Sequence, residues 1–246
     1  MTGMNRHDLL HEWLNAVSAT VRTSGNDSNS LEALYALSAA FKELGADGKT
    51  FLQSEYIANN PNPVGKRQLL DRAEGSEYYH SQHALFHNQF RKLTEQLGFY
   101  DIFLIDNAGN VVYTVGEESD FGENLKTGRL EDTNLATVFD KASKGKANDI
   151  FFSDFTPYEP SGNSVAMFVA TPIMNPAGKT VGVYAIQLPL AKISDILDRN
   201  NLAGTSTNIY LLNNTGQFLS NSRFPNEFKA GDTLSLIHIS EPTRPY

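Results

Sequence analysis

The sequence holds no cysteine, so disulfides, thiolate metal sites and cysteine nucleophiles are excluded, while either redox compartment remains open. No run approaches the ~18 consecutive apolar residues of a membrane-crossing helix, and no basic-then-apolar leader opens the chain. Clusters of Lys and Arg are also missing. With a net charge of −8 and a pI near 5.2, this argues against nucleic acid or an anionic membrane surface as partner. Enzyme signatures are absent as well: no GxGxxG after a strand, no Walker loop, no GxSxG elbow, no HExxH. Catalysis is therefore not indicated, and no cofactor is expected.

What is present is enough for a core. The 246 residues are 40% hydrophobic and 11% aromatic, room for one large domain or two small ones. The stretch Phe99–Val115, FYDIFLIDNAGNVVYTV, reads as a β-hairpin, two apolar runs around an Asp/Asn/Gly turn. Residues 207–222, TNIYLLNNTGQFLSNS, align with it without a gap, Ile209 on Ile102 and Gly216 on Gly109. The repeat points to two modules of one fold in tandem.

Around this hairpin, apolar spacing predicts helices. Leu10, Trp13, Leu14, Val17 and Val21 stripe residues 6–23, and Leu31, Leu34, Leu37 and Phe41 stripe a second helix capped by Ser30. Residues 58–65 read as loop, and 66–97 as helix stopped by Gly98. Gly116–Gly128 is an acidic, Gly-containing loop, and Asn134–Ser143 a helix. Strands are expected at Asp149–Phe155, Val165–Ile173 and Thr180–Leu188, and a connecting helix at Ala191–Arg199. Five strands with few long crossovers predict an α+β fold with an antiparallel sheet.

Two groups of side chains merit chemical attention. His80, His83 and His87 share one face of the predicted helix, an arrangement that can ligate zinc when a carboxylate completes the set. That makes a metal-dependent enzyme one alternative reading; a polar helix face lining a groove is the other. Around the third strand, Phe151, Phe152, Asp154, Phe155, Tyr158 and Ser161 combine a carboxylate with aromatics. Such a set can orient a small cationic or hydroxylated solute, or simply be a turn cap with core phenylalanines.

YDIFLIDNAGNVVYTVGEESDFGENL, followed by FSDFTPYEPSGNSVAMFVATPIMNPAGKTVGVYAIQLPLAKISDIL, resembles the membrane-distal module of a double Cache domain. These are extracytoplasmic, PAS-like sensor domains of bacterial chemoreceptors and sensor histidine kinases. The resemblance covers roughly residues 67–221. It implies a PAS-like five-stranded antiparallel sheet and a division into helical stalk 1–65, distal lobe 66–190, linking helix 191–206 and the start of a proximal lobe at 207–233. It implies a non-enzymatic sensor of a small organic solute, an organic acid or amino acid. Two copies would pair through the N-terminal helix, and the output module would be a chemotaxis, histidine kinase or cyclase unit. In amino-acid-binding members a loop Pro-Tyr-x-Asp-x-x-Thr-Gly contacts the solute. Pro157-Tyr158 matches its start and Ser161-Gly162 its end, with Glu159-Pro160 where the Asp falls. The ligand-binding set expected here is Tyr79, His83, Tyr113, Asp154, Phe155, Tyr158, Ser161 and Phe168, the solute lying between the His83 helix and the strands of Tyr113, Asp154 and Phe168. A protein-binding lobe without a small ligand is the remaining alternative.

The final segment 234–246 begins LSLIHISEPTR, which resembles the read-through translation of a transposase sequencing adaptor. Native sequence is thus expected to stop near Thr233, early in the second lobe. Sequencing the locus through codon 233 should reveal a different continuation; finding LSLIHIS encoded in the genome would refute this.

Overall fold

A computed structural model describes residues 6–198, together with 212, 216, 218, 229 and 232–234. Helix α1 (Arg6–Gly25) is followed by α2 (Ser28–Glu43), the short α3 (Gly48–Gln53) and α4 (Tyr78–Leu97). The strands are β1 (Asp101–Asp106), β2 (Val111–Thr114), β3 (Phe151–Phe152), β4 (Thr156–Tyr158), β5 (Ser164–Met174) and β6 (Thr180–Pro189). Helix α5 (Asn134–Ser143) lies between β2 and β3, and α6 (Leu190–Asp198) follows β6. The sheet runs β2-β1-β6-β5-β3, antiparallel throughout, with β4 also paired to β5. This is a PAS-like α+β fold.

Local chemistry accounts for two of the helix boundaries. Gly98, at φ 68°, closes α4 in the left-handed conformation that glycine adopts at little cost. The Thr133 side chain accepts from the Ala136 N–H and caps α5. Helix α4 begins at Tyr78 rather than near residue 66; between them lies a 3-10 turn over Arg67–Leu69 and irregular chain. Strand β4 occupies residues expected to be loop. It is a second edge fragment on β5, separated from β3 because the Ser153 hydroxyl takes over the Phe168 N–H at 2.8 Å. Pro157, lacking an N–H, suits such an edge.

The sheet is buried on both faces. Ile102, Leu104, Val112, Tyr113, Val169, Tyr184 and Ile186 join the core formed with α1–α4, including Val17, Val21, Leu34, Leu37, Leu52 and Tyr56. Phe103, Ile105, Val111, Phe168, Ala170, Val183 and Ala185 join a second core with α5. Helices α1–α3 therefore share a core with the sheet, and Leu10, Trp13 and Leu14 of the α1 stripe pack against that core.

The hairpin reads as expected. Asp106 accepts from the Asn110 N–H and side-chain amide, Gly109 sits at φ 95°, and Ile105 pairs with Val111. A third segment then bonds alongside: Val111 N–H to the Glu123 carbonyl and Leu125 N–H to the Gly109 carbonyl, both 2.8 Å. The second copy reproduces this where it is described. Leu212 bridges Phe218, Gly216 has φ 78°, Phe218 N–H bonds the Asp232 carbonyl and Leu234 N–H bonds the Gly216 carbonyl, again at 2.8 Å. Asp232-Thr233-Leu234 thus stands where Glu123-Asn124-Leu125 stands in the first copy. The rest of 207–222, residues 199–206 of the linking segment and the adaptor-like residues 235–246 lie outside the described residues.

Close approach of α2 to the sheet depends on Gly182. A Cβ there would lie 2.5 Å from a Leu34 methyl and 2.6 Å from the Ile105 carbonyl oxygen. Gly182→Ala should cost about 1–3 kcal/mol through overpacking, read as a lower urea midpoint. An unchanged midpoint would mean α2 does not rest on β6.

Candidate functional site

The loop leaving β2 carries Glu117, Glu118, Asp120 and Glu123 within seven residues. Acidic loops usually face water. Here Glu117, Asp120 and Glu123 are buried, as is Asp101 at the start of β1. Glu123 is neutralised by Lys49 at 2.7 Å and Arg129 at 2.8 Å. Among the described residues, neither lysine nor arginine forms an ion pair with Asp101, Glu117, Glu118 or Asp120.

Hydroxyls and amides hold these carboxylates instead. Tyr100 and Ser161 donate to the two oxygens of Glu118, each at 2.7 Å. Tyr158 donates to Asp120 Oδ2 at 2.9 Å, while Asp120 Oδ1 is buried without a partner. The Gln187 amide donates to Ser161 Oγ at 3.0 Å. Asp101 accepts from Thr114 and from the N–H groups of Ile102, Val115 and Gly116. Burial disfavours the ionised forms and mutual repulsion adds to it. Asp101 is pushed up to about 7 and Glu117 to about 10; Glu118 is raised and Asp120 raised well above the usual carboxylate range.

A second cluster lies on α4. Tyr79, His80, His83, Phe86, His87 and Phe90 recur at three- and four-residue steps and are all buried. The Tyr79 hydroxyl donates to the Val112 carbonyl at 2.6 Å. Chain wrapping over the helix fixes two imidazoles: His83 Nδ1 donates to the Asp71 carbonyl at 3.0 Å, and His87 Nε2 to the Gln68 carbonyl at 2.7 Å. A carbonyl accepts only, so each bond places a proton on that nitrogen. His87 Nδ1 then accepts from the Tyr113 hydroxyl at 2.9 Å. The Tyr56 hydroxyl bonds His80 Nδ1 at 2.9 Å, and its ring packs 4.4 Å from that of His83. Burial lowers all three imidazole pKa values, His87 to about 4, so the histidines are neutral at pH 7.

Beside both clusters lies a cavity of about 270 Å³, lined in part by Gln68, Arg91, Thr94, Tyr100, Gly116 and Glu118. Arg91 is paired there with Asp71 at 3.1 Å.

The expected ligand-binding residues are brought together in two groups rather than one. Tyr79, His83 and Tyr113 converge under α4, joined by Glu117, which lies 3.5 Å from His83. Tyr158 and Ser161 converge on Asp120 and Glu118. Phe168 packs edge-on against Tyr158 with ring centres 4.9 Å apart, in the α5 core. The expectation that Tyr113 and Phe168 face one cavity is corrected: strand alternation sends them to opposite sides of the sheet. Asp154 bonds the Phe155 N–H at 2.8 Å, and Phe155 joins the α1–α4 core. Among the described residues the metal-capable group is His83, His87 and Glu117, whose donor atoms lie within 4.8 Å of one another, rather than the three histidines. Asp101, Glu117, Glu118 and Asp120 were missed because an acidic loop reads as solvated; the signal was four carboxylates abutting a buried strand end.

No family model matches the sequence, and no curated protein matches it. Solved structures do. The sensor domain of histidine kinase DctB from V. cholerae aligns at 13% identity and a TM-score of 0.43, over 77% of this chain and 65% of that one. The ligand-binding domain of Campylobacter jejuni chemoreceptor Tlp3 with 4-methylisoleucine aligns at 13% and 0.40, over 81% and 70%. That of Pseudomonas fluorescens chemoreceptor CtaA with L-serine aligns at 17% and 0.37, over 85% and 71%. The chain is similar to bacterial sensor domains. It spans just under two thirds of the DctB domain.

The raised carboxylate pKa values predict a pH profile. Asp101 and Glu117 keep protons in the fold that the unfolded chain releases near pH 4, so their stabilisation fades as pH rises through about 7 and about 10. The histidines act oppositely, but only below their unfolded pKa near 6.5. Above pH 6.5 the carboxylates alone act, and Tm should fall between pH 6.5 and 9. Asp120→Asn should shrink that fall; a flat or rising Tm in the unsubstituted protein would contradict burial of uncompensated carboxylates.

Proposed function

We propose that this chain is the ligand-binding sensory part of a bacterial transmembrane receptor, a chemoreceptor or a sensor histidine kinase, and that it lies outside the cytoplasm. The observation that carries this reading is the pair of carboxylates Glu118 and Asp120, held by Ser161 and Tyr158 without an ion pair among the described residues and repelled further by Asp101. Buried carboxylates without a cation are costly. A solute carrying an ammonium group supplies the missing charge and the missing partner for Asp120 Oδ1. Tyr158 and Ser161, where the amino-acid-binding loop motif is matched, would orient it. An amino acid or small amine fits this chemistry, and the adjoining cavity of about 270 Å³ suits its size. The resemblance in the hairpin and the β5–β6 segment supports placing the domain in a receptor.

Signalling then requires the solute to prefer one of two helix arrangements in the parent receptor. Coupling of about 1–3 kcal/mol is typical of such transmission.

A thermal-shift screen of amino acids, amines and organic acids at pH 7.5 tests the reading. At least one ammonium-bearing solute should raise Tm and bind more weakly at pH 5, where the carboxylates are protonated. Asp120→Asn and Tyr158→Phe should each weaken it by about tenfold or more. Binders confined to organic acids, or affinity unchanged in both variants, would overturn it.

A further inference from the structure

We propose that His83, Glu117 and His87 form a site for a divalent transition cation of the Zn²⁺ class, separate from the solute site on the loop's other flank. Two buried polar atoms face each other there with no hydrogen bond between them. His83 spends its Nδ1 proton on the Asp71 carbonyl, so Nε2 presents a lone pair. Opposite it, at 3.5 Å, stands Glu117 Oε1. Both atoms are buried, and neither has a hydrogen-bond partner. A shared proton between them would draw O and N to roughly 2.7–3.0 Å. A tetrahedral metal with ligand bonds of about 2.0–2.1 Å holds two such atoms about 3.3 Å apart, close to the separation observed.

The surroundings are those of a supported site. The Asp71 carbonyl fixes the His83 ring, and the Asn60 amide donates to Glu117 Oε2 at 2.7 Å, leaving Oε1 directed at His83. Bonds of this kind from the ligands outward orient metal centres. A nitrogen of His87 completes a group whose donor atoms lie within 4.8 Å of one another. Nε2 of His87 holds the Gln68 carbonyl, so Nδ1 is its available lone pair and must exchange the Tyr113 hydroxyl for the metal. Two imidazoles and one carboxylate select Zn²⁺, Ni²⁺ or Cu²⁺ over Ca²⁺ and Mg²⁺, which take oxygen ligands. A fourth position is left for water or a donor atom of a bound molecule.

The test uses tag-free protein stripped with EDTA. Titration calorimetry should show one equivalent of Zn²⁺ bound, and Ca²⁺ none. Co²⁺ should give visible d–d absorption, and Cu²⁺ an EPR spectrum with splitting from two nitrogens. These readouts need no substitution. His83→Gln and Glu117→Gln should each weaken Zn²⁺ binding at least about 100-fold, while His80→Gln should leave it unchanged. Absence of stoichiometric Zn²⁺ binding, or a Co²⁺ spectrum of the fully hydrated ion, would overturn the site. So would Zn²⁺ affinity retained in folded His83→Gln.

Discussion

Carboxylates taken out of water without a cation beside them are the constraint on which this structure turns. The sheet is covered on both faces, and the loop leaving β2 turns Glu117 and Asp120 inward. An ionised carboxylate in such surroundings needs a counter-charge or a dense set of donors. Glu123 shows the first solution, with Lys49 and Arg129. Asp101 shows the second, with three backbone N–H groups and a hydroxyl. Glu117 and Asp120 have neither in full, since each keeps one oxygen unpartnered. Stability alone would favour an amide or an apolar residue at these two places.

The fold was largely legible in the sequence because its elements are strongly patterned. Helix α5 and strands β5 and β6 fall within a residue or two of their expected bounds, because their apolar runs are long and flanked by unambiguous turns. The hairpin was readable from Asp106 through Gly109, and its second copy repeats the bonding geometry at Gly216 and Phe218. Boundaries failed where side chains overrule backbone pattern. Ser153 interrupts the edge of β5 with its own hydroxyl, so the strand expected at 149–155 shrinks to β3 and pairing resumes beyond it in β4. The start of α4 was misplaced because residues 66–77 use backbone carbonyls to hold histidines, a role that periodicity does not record.

The site was half legible. Tyr158 and Ser161, read from their loop motif, do meet, and what they meet is Glu118 and Asp120, forty residues earlier in the chain. The histidine face of α4 was visible in its spacing, but the carboxylate opposite it was not. Pairing β1 with both β2 and β6 brings Asp101, Glu117 and Gln187 to one end of the sheet, and such a juxtaposition is a property of topology. Placing Phe168 beside Tyr113 ignored the alternation of strand faces, which sends odd and even positions of β5 into different cores.

Glu117 and Glu118 are adjacent in sequence, yet one serves the imidazoles of α4 and the other the Tyr158–Ser161 loop. Glu117 itself sits at φ 50°, a left-handed conformation that a glutamate adopts only when its surroundings hold it there. One peptide bond joins the residue that faces His83 to the residue that holds Ser161. An occupant on either flank therefore acts on the same short strained segment. Whatever coupling results is reciprocal, because the free energy by which one occupant reshapes that segment is the free energy by which the other senses it.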